Sequence, residues 1–182
     1  MPLPAQTPYT SEDYWSLPDG VRAELIDGEF YDMTPPSPTH QLLVTGIATD
    51  FTMYVRQHGG PCKVMASPVA VNLDADDTTW VEPDVVVVCD ADKVSGRGVE
   101  GTPDLVVEVT SPSNSGMDYV TKLARYRRAG VREYWIVDPQ SKRTIAYRFK
   151  GADVDLDVYP FSEPVLSGLF DGLAITMDDL LG

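Results

Sequence analysis

The runs PDVVVV, residues 83–88, and LVVEV, residues 105–109, decide how this chain folds. Each is an apolar run of strand length that carries one carboxylate. Valine favours extended backbone, and apolar runs without polar alternation are typical of strands that are covered on both faces of a sheet. The two runs predict central strands of one sheet, with Asp84 at the start of the first strand and Glu108 inside the second.

Three segments carry the spacing and the end signals of helices. A cap at Thr10 predicts a short helix, and apolar residues at helical spacing predict a long helix from the Pro-rich connector 35–38 to Gly59. A third helix is predicted over 115–129, which Gly130 ends. We expect the long helix to pack on the sheet.

The remaining segments favour short strands. The Asp27-Gly28 pair predicts the turn of a hairpin over 23–33, since glycine tolerates the positive φ that such turns require. Further β-rich runs lie at 62–66, 69–73, 134–137 and 144–149. We therefore expect an α/β fold in which helices flank a mixed β-sheet and an N-terminal β-hairpin precedes it. A chain of 182 residues, 43% of them hydrophobic, suits one domain spanning 1–182.

The charge balance is strongly acidic, with 14 Lys+Arg against 28 Asp+Glu and a net charge of -14. Such a charge repels polyanions at long range, so it argues against sequence-independent nucleic-acid binding. The opposing hypothesis is that a cluster of basic residues forms a local rim at the site and binds nucleic acid in spite of the net charge. A solvated helix face explains the same residues equally well. The basic residues on and after the third predicted helix are Lys122, Arg125, Arg127, Arg128 and Arg132.

The two cysteines, Cys62 and Cys89, lack the spacing of a zinc site or of a disulfide framework. Reduced thiols and a cytoplasmic location are the simpler expectation. The apolar runs are much shorter than the roughly 20 residues of a membrane-spanning helix, so no membrane association is expected.

Asp84 and Glu108 are candidate metal ligands. Two carboxylates on adjacent strands can share a hard divalent cation, because Mg²⁺ binds one or two carboxylates together with water and substrate phosphate. In the alternative interpretation, both side chains lie at strand ends and are solvated or paired with a basic residue.

Lys122 is the third candidate, because the predicted helix places Asp118, Lys122 and Tyr126 on one face at intervals of four residues. If that face is turned toward the strands, Lys122 can position the attacking water and offset charge that develops on a phosphate. A plain Asp118–Lys122 helix pair is the alternative.

These motifs resemble a known family. Pro83-Asp84, followed 24 residues later by Glu108, resembles the core of the PD-(D/E)XK nuclease superfamily, and more closely its Uma-type, restriction-endonuclease-like family. The resemblance continues in order through the other quoted segments. These are Glu24 to Glu29, Ser37 to His40, Lys122, Tyr126, Ala129 to Val131 and Glu133 to Pro139.

The resemblance implies a metal-dependent endonuclease that hydrolyses nucleic-acid phosphodiester bonds, with DNA as the expected substrate and a homodimer as the expected assembly. It implies that Asp84, Glu108 and the Val109 carbonyl hold Mg²⁺ or Mn²⁺. Position 110 is Thr where the simplest superfamily pattern has Lys. Lys122 on the following helix takes the lysine's role only by that resemblance.

Two further residues are weaker candidates. Glu24 matches a glutamate of the family and is expected near the metal, with a salt bridge in the hairpin as the alternative. His40 lies in the first turn of the long helix, where it can contact a phosphate or assist proton transfer. A purely structural histidine is the alternative.

Two other functions stay open at this point. One is a catalytically weak or inactive nuclease-fold module that acts through an acidic protein-interaction surface. The other is a hydrolase of small phosphodiesters, which needs no extended basic surface.

Overall fold

The computed structural model describes residues 7–111 and 116–182. Its centre is a six-stranded sheet in which strands β7 and β8 are parallel neighbours and the other neighbours are antiparallel. The strand order is β10-β9-β8-β7-β5-β3, with bounds β3 Lys63–Ala66, β5 Val85–Val88, β7 Leu105–Val109, β8 Glu133–Asp138, β9 Arg143–Lys150 and β10 Asp153–Pro160. The prediction of a mixed sheet is confirmed.

Helices and short strand pairs surround this sheet. The helices are α1 Ser11–Trp15, α2 Pro38–His58, α3 Leu123–Ala129 and α4 Met177–Leu181, with a 3-10 turn at Ala91–Lys93. The strand pairs are β1 Ala23–Ile26 with β2 Glu29–Asp32, β4 Val71–Asn72 with β6 Val99–Glu100, and β11 Val165–Leu166 with β12 Ala174–Ile175. The short helix α4 is the last element of the chain.

The two apolar runs are the centre of the sheet, as predicted, and every residue of β5 and β7 is buried. Odd-numbered residues such as Val85 and Val107 pack against α2 and α4. Even-numbered residues such as Val86 and Val106 pack against Tyr126 of α3 on the opposite face. The alternation follows from the two-residue period of extended chain. Because 108 is an even-numbered position, this alternation points the Glu108 side chain toward α3.

The N-terminal hairpin is confirmed. Asp27 and Gly28 both adopt positive φ, 55° and 76°, which matches the tight turn that joins two antiparallel strands with right-handed twist. A side chain at position 28 would also collide with Pro8. The hairpin is tied to the rest of the fold through a bridge between Leu25 and Trp80, which places Glu24 beside the sheet.

Helix α2 begins at a cap in which the Ser37 side chain accepts a hydrogen bond from the His40 backbone N–H. Pro38 at the first helical position needs no hydrogen-bond partner for its nitrogen, which suits it to a helix start. The cap sets the position of the His40 ring in the first turn.

The third predicted helix is not one regular α-helix. Residues Met117–Lys122 form a π-helical segment that continues into α3, whereas Ser115 and the Asp118 side chain lie outside the described part of the chain. A π-helical turn widens the helix, and such turns are frequent at functional sites. Lys122 is the last residue of this segment.

The prediction of reduced cysteines is wrong, because Cys62 and Cys89 form a disulfide. The physical reason lies in the register of two antiparallel strands. Lys63 of β3 is paired with Val88 of β5, so the residue before β3 and the residue after β5 lie opposite each other. The separation of 27 residues along the chain gives no hint of this proximity.

Within the described ranges, none of the helices has the length and apolar character that are needed to cross a membrane. Trp135 is fully buried in β8 and packs against Phe51 of α2.

Candidate active site

A cavity of about 790 Å³ lies where the hairpin, the start of α2 and the ends of β5, β7 and β8 meet. It is rich in carboxylates. The acidic residues that line it are Glu24, Asp32, Glu82, Asp84, Glu108 and Asp138. The Lys and Arg residues among its described lining are Lys122 and Arg22, and His40 also reaches it.

Asp84 immediately precedes β5 and faces the next strand. Val85 is paired with Val107, so the same register continued by one residue sets Asp84 opposite Glu108. The Oδ2 atom of Asp84 accepts a hydrogen bond of 2.8 Å from the Val109 backbone N–H. This bond fixes one oxygen of the carboxylate at the end of β7.

Glu108 is only 3% exposed, and its charge is compensated by two side chains of the helical segment after β7. Its Oε1 atom accepts hydrogen bonds from Lys122 Nζ at 3.0 Å and from the Tyr126 hydroxyl at 2.6 Å. Burial, followed by the Glu108 charge, raises the pKa of Tyr126 well above its ordinary value. Tyr126 therefore stays protonated and remains a donor to Glu108.

Lys122 connects two carboxylates. Its Nζ atom lies 3.0 Å from Glu108 Oε1 and 3.0 Å from Glu24 Oε1, and all three side chains are more than nine-tenths buried. Glu24 Oε1 also accepts a hydrogen bond from the Glu82 backbone N–H. A buried ion pair is stabilising only where its remaining groups are hydrogen-bonded, and this network provides those bonds.

His40 contacts the same oxygen of Asp84. Its Nε2 atom lies 3.2 Å from Asp84 Oδ2. The second ring nitrogen, Nδ1, is buried and has no hydrogen-bond partner among the described residues. A buried polar atom without a partner is uncommon in folded proteins, and such atoms are often found at sites that bind a further group.

The structure thus brings all five predicted side chains to one cavity. Asp84, Glu108 and Lys122 meet between β5, β7 and the π-helical segment. Glu24 and His40 each contact one of these three residues. For Val109 the contact shown is made by its N–H, and the ligand role of its carbonyl stays a prediction.

Two residues of this site were not singled out from the sequence: Arg22 and Glu82. Each precedes a predicted site residue by two positions. Because side chains two apart in extended chain point the same way, this spacing was an available signal. Helical spacing placed Tyr126 on the same face as Lys122, but no role was predicted for it.

Of the two interpretations of the basic cluster, the structure does not support a rim beside the cavity. Arg125 is buried and forms ion pairs with Asp27 and Asp74, and burial, followed by the neighbouring Arg128, lowers the pKa of its guanidinium. Arg132 pairs with Asp104 at 3.4 Å. None of the four arginines of the predicted rim is among the described residues that line the cavity. These arginines therefore supply no positive charge to the described lining of the cavity.

The donor set fits Mg²⁺ or Mn²⁺ in an open site. No group of three His, Cys, Asp or Glu side chains that could hold a metal occurs within residues 7–111 and 116–182. Mg²⁺ does not require such a cage, because it typically binds through one or two carboxylates and keeps several waters. Asp84 and Glu108 on neighbouring strands, beside a cavity with room for water and phosphate, meet this requirement.

A mixed sheet with two carboxylates at the ends of its central strands and a lysine on the following helix defines a restriction-endonuclease-like α/β protein. The model of the family Uma2, described as "Putative restriction endonuclease", matches residues 11–178, and the chain belongs to this family. The predicted family is confirmed.

The proteins that are similar to this chain include one relative by sequence and one solved structure. An uncharacterized protein of Synechocystis sp. is 28% identical over 143 residues, which cover 77% of this chain and 72% of that protein. A crystal structure titled as a "putative nuclease belonging to DUF820" from Anabaena variabilis has a TM-score of 0.74 at 17% identity. The structural match covers 95% of this chain and 97% of that one, and it supports the fold.

Proposed function

We propose that this protein is a metal-dependent endonuclease that hydrolyses phosphodiester bonds of nucleic acid, with DNA as its substrate. One observation carries the proposal. Asp84 and Glu108 lie on neighbouring strands beside one cavity, and Lys122 from the next helix contacts Glu108. Membership in a family described as "Putative restriction endonuclease" and the fold shared with the Anabaena variabilis protein support the same reaction class.

Asp84, Glu108 and the Val109 carbonyl are the groups that would hold Mg²⁺ or Mn²⁺. Such an ion, when bound, activates a water molecule and stabilises negative charge on the phosphate. Among the described residues, the Nδ1 atom of His40 has no hydrogen-bond partner and the side-chain contacts of Asp84 all involve Oδ2, which leaves polar capacity here for water or a phosphate oxygen.

Lys122 is the cation next to the reacting group in this proposal. A preorganised positive charge in a water-poor site stabilises charge that develops in a transition state more strongly than an exposed one. Glu24 and Glu108 hold the ammonium group in place from two sides. Tyr126 restrains Glu108 from the same helical segment, so it is a positioning residue and does not itself reach the substrate.

The acidic lining favours a second candidate, a catalytically weak or inactive module that acts through an acidic protein-interaction surface. The described lining of the cavity contains six carboxylates, and none of the arginines of the hypothesised basic rim belongs to it. A hydrolase of small phosphodiesters is compatible with the same charge distribution, because it needs no extended basic surface. The homodimer and the cytoplasmic location remain predictions from the sequence.

The test is cleavage of supercoiled plasmid and of single-stranded DNA by the purified protein with Mg²⁺ or Mn²⁺. The variants are Asp84→Asn, Glu108→Gln and Lys122→Met, which keep the side-chain size. We expect each to lower the cleavage rate at least about a hundredfold, because each removes a group that acts in the transition state. Glu163→Gln, an exposed acid outside the cavity, is the matched control.

The outcomes separate the three candidates. Metal-dependent cutting that all three variants lose, with melting curves like the wild type, supports the endonuclease. Turnover of a chromogenic phosphodiester without DNA cleavage identifies the small-substrate hydrolase. No turnover, together with no heat of Mg²⁺ or Mn²⁺ binding in calorimetry, overturns the proposal in favour of the non-catalytic module.

A further inference from the structure

We propose that Arg22 binds a second phosphate of the substrate, next to the phosphate that is cleaved, so that the substrate is an oligonucleotide strand and not an isolated phosphodiester. This inference rests on the proposed function of the same cavity. It starts from the two cations of the described lining, which are very unequal in accessibility. The side chain of Lys122 is 7% exposed, whereas that of Arg22 is 42% exposed.

Arg22 is held in a fixed orientation. Its Nε and Nη2 atoms both donate hydrogen bonds to Glu82 Oε2, at 3.2 and 2.5 Å. The other oxygen of Glu82 accepts a hydrogen bond from the Tyr14 hydroxyl at 3.2 Å. Burial, followed by the Glu82 charge, raises the pKa of Tyr14, so this hydroxyl remains a donor. The guanidinium is therefore preorganised, which reduces the entropic cost of binding an anion.

The two partners of the Arg22–Glu82 ion pair differ in exposure. The Glu82 side chain is 11% exposed, whereas that of Arg22 is 42% exposed, so the guanidinium is the partner that solvent and a ligand can reach. The Nη1 atom of Arg22 donates none of its hydrogen bonds to the described residues. A planar guanidinium with a free edge matches the geometry of two phosphate oxygens.

Two short routes connect Arg22 to the candidate metal ligands. Arg22 Nη2 donates to Ser67 Oγ at 3.1 Å, and the Ser67 backbone N–H donates to the Asp84 carbonyl at 3.0 Å. On the other side, the Glu82 backbone N–H donates to Glu24, which holds Lys122. Arg22 thus lies beside the candidate reaction centre and is linked to it through the intervening residues Ser67 and Glu82, without contacting Asp84 or Lys122 directly. A neighbouring phosphate of the same strand fits this place.

The size and charge of the cavity favour the same substrate. A volume of about 790 Å³ is in the upper part of the range for ligand sites and exceeds what one phosphodiester group fills. A chain with a net charge of -14 repels a polyanion, so binding depends on local cations that face the cavity. Arg22 is the exposed cation among the described lining residues.

The first measurement is binding, without catalysis. Fluorescence anisotropy of a labelled single-stranded oligonucleotide is recorded with a chelator present, over a series of salt concentrations. We expect Arg22→Gln to weaken binding about tenfold at low salt and to reduce the salt slope by about 0.7, the value for loss of one phosphate contact on a single strand. Arg22→Lys should restore the slope. Arg97→Gln, an exposed arginine outside the cavity lining, should change neither.

The second measurement compares two substrates with Mg²⁺ or Mn²⁺. A trinucleotide contains two phosphates, and a dinucleotide without terminal phosphate contains one. Arg22→Gln should lower kcat/KM for the trinucleotide about tenfold and leave that for the dinucleotide unchanged. An equal loss on both substrates would place Arg22 at the cleaved phosphate and would overturn the inference.

The two measurements keep this inference separate from the proposed function. Arg22-dependent oligonucleotide binding in a protein that cuts nothing supports the inference and refutes the endonuclease. Cleavage and oligonucleotide binding that are both insensitive to Arg22→Gln overturn the inference and leave the endonuclease in place. The absence of oligonucleotide binding by the wild-type protein overturns the inference directly.

Discussion

Two glutamates are buried in neighbouring parallel strands, Glu108 in β7 and Glu133 in β8, on opposite faces of the sheet. Glu133 is fully enclosed and accepts hydrogen bonds from Trp135 Nε1 and from the backbone N–H groups of Gly168 and Leu169. Glu108 lines a cavity and shares Lys122 with a second carboxylate.

The different surroundings of these two glutamates show that burial of a carboxylate does not by itself indicate an active site. The donors around Glu133 include backbone groups of a C-terminal loop, so this side chain fastens the loop to the sheet. The donors shown for Glu108 are two side chains, Lys122 and Tyr126, that follow each other along one helical segment beside the cavity. The same residue type therefore serves structure on one face and, in our proposal, chemistry on the other.

Glu133→Gln tests most directly whether the two glutamates differ in role, and it has the largest expected effect on stability. The amide keeps the shape of the side chain but turns an NH₂ group toward backbone N–H donors, which leaves buried polar groups unsatisfied. We expect the free energy of unfolding to fall by about 3 kcal/mol. Urea unfolding followed by circular dichroism measures this change.

For Glu133→Gln, activity per folded molecule should stay near the wild-type value, the reverse of what we expect for Glu108→Gln. Glu163→Gln, which is exposed, is the control for the loss of one negative charge. A stability equal to that of the control would show that Glu133 does not fasten the loop.

Tyr126→Phe sharpens the comparison at Glu108. The change removes the 2.6 Å hydrogen bond to Oε1 and little else, because phenylalanine fills almost the same volume. Hydrogen bonds to charged groups contribute roughly 1.5–3 kcal/mol, so we expect a loss of unfolding free energy in this range. Tyr9→Phe, at an exposed ring, is the control.

The same variant has a pH signature. The pKa of Tyr126 in the folded protein is raised above the ordinary value of 10.0. Its contribution to stability is therefore fully present below that value and is lost as the pH rises above it. The unfolding free energy of Tyr126→Phe should be less sensitive to alkaline pH than that of the wild type. An identical pH dependence in both proteins would argue against a buried, protonated Tyr126.

Asp155→Asn gives the smallest expected effect. Asp155 on the edge strand β10 forms an exposed ion pair of 2.6 Å with Lys150, and that hydrogen bond, followed by the lysine charge, lowers its pKa. Exposed pairs are screened by water and contribute little. We expect no measurable change in stability or in cleavage. A double-mutant cycle with Lys150→Gln measures the coupling, and a clear coupling energy would contradict this interpretation.

Much of the site was predictable from local pattern. Valine-rich runs predicted the buried strands, and the carboxylates at the start of the first run and inside the second were predicted to face each other. Helical spacing placed Lys122 and Tyr126 on one face, which the structure turns toward Glu108. These predictions succeeded because each depends on the period of a single strand or helix.

Other features depend on which elements become neighbours. Cys62 and Cys89 meet only through the register of β3 and β5. Arg125 does not face the cavity, because it forms ion pairs with acids of two distant loops, Asp27 and Asp74. Arg22 reached the cavity only because the hairpin packs beside the strand that carries Glu82 and Asp84.

Local patterns in the amino-acid sequence were sufficient to predict the class of fold, the family and the candidate residues Asp84, Glu108 and Lys122. The tertiary structure decided which cations face the cavity, which acids are neutralised and which thiols are paired. The difference arises from the distance along the chain between the residues that interact. Strand and helix periods are set by neighbours a few residues away, whereas charge compensation depends on side chains that lie far apart in the chain and meet only when the fold is complete.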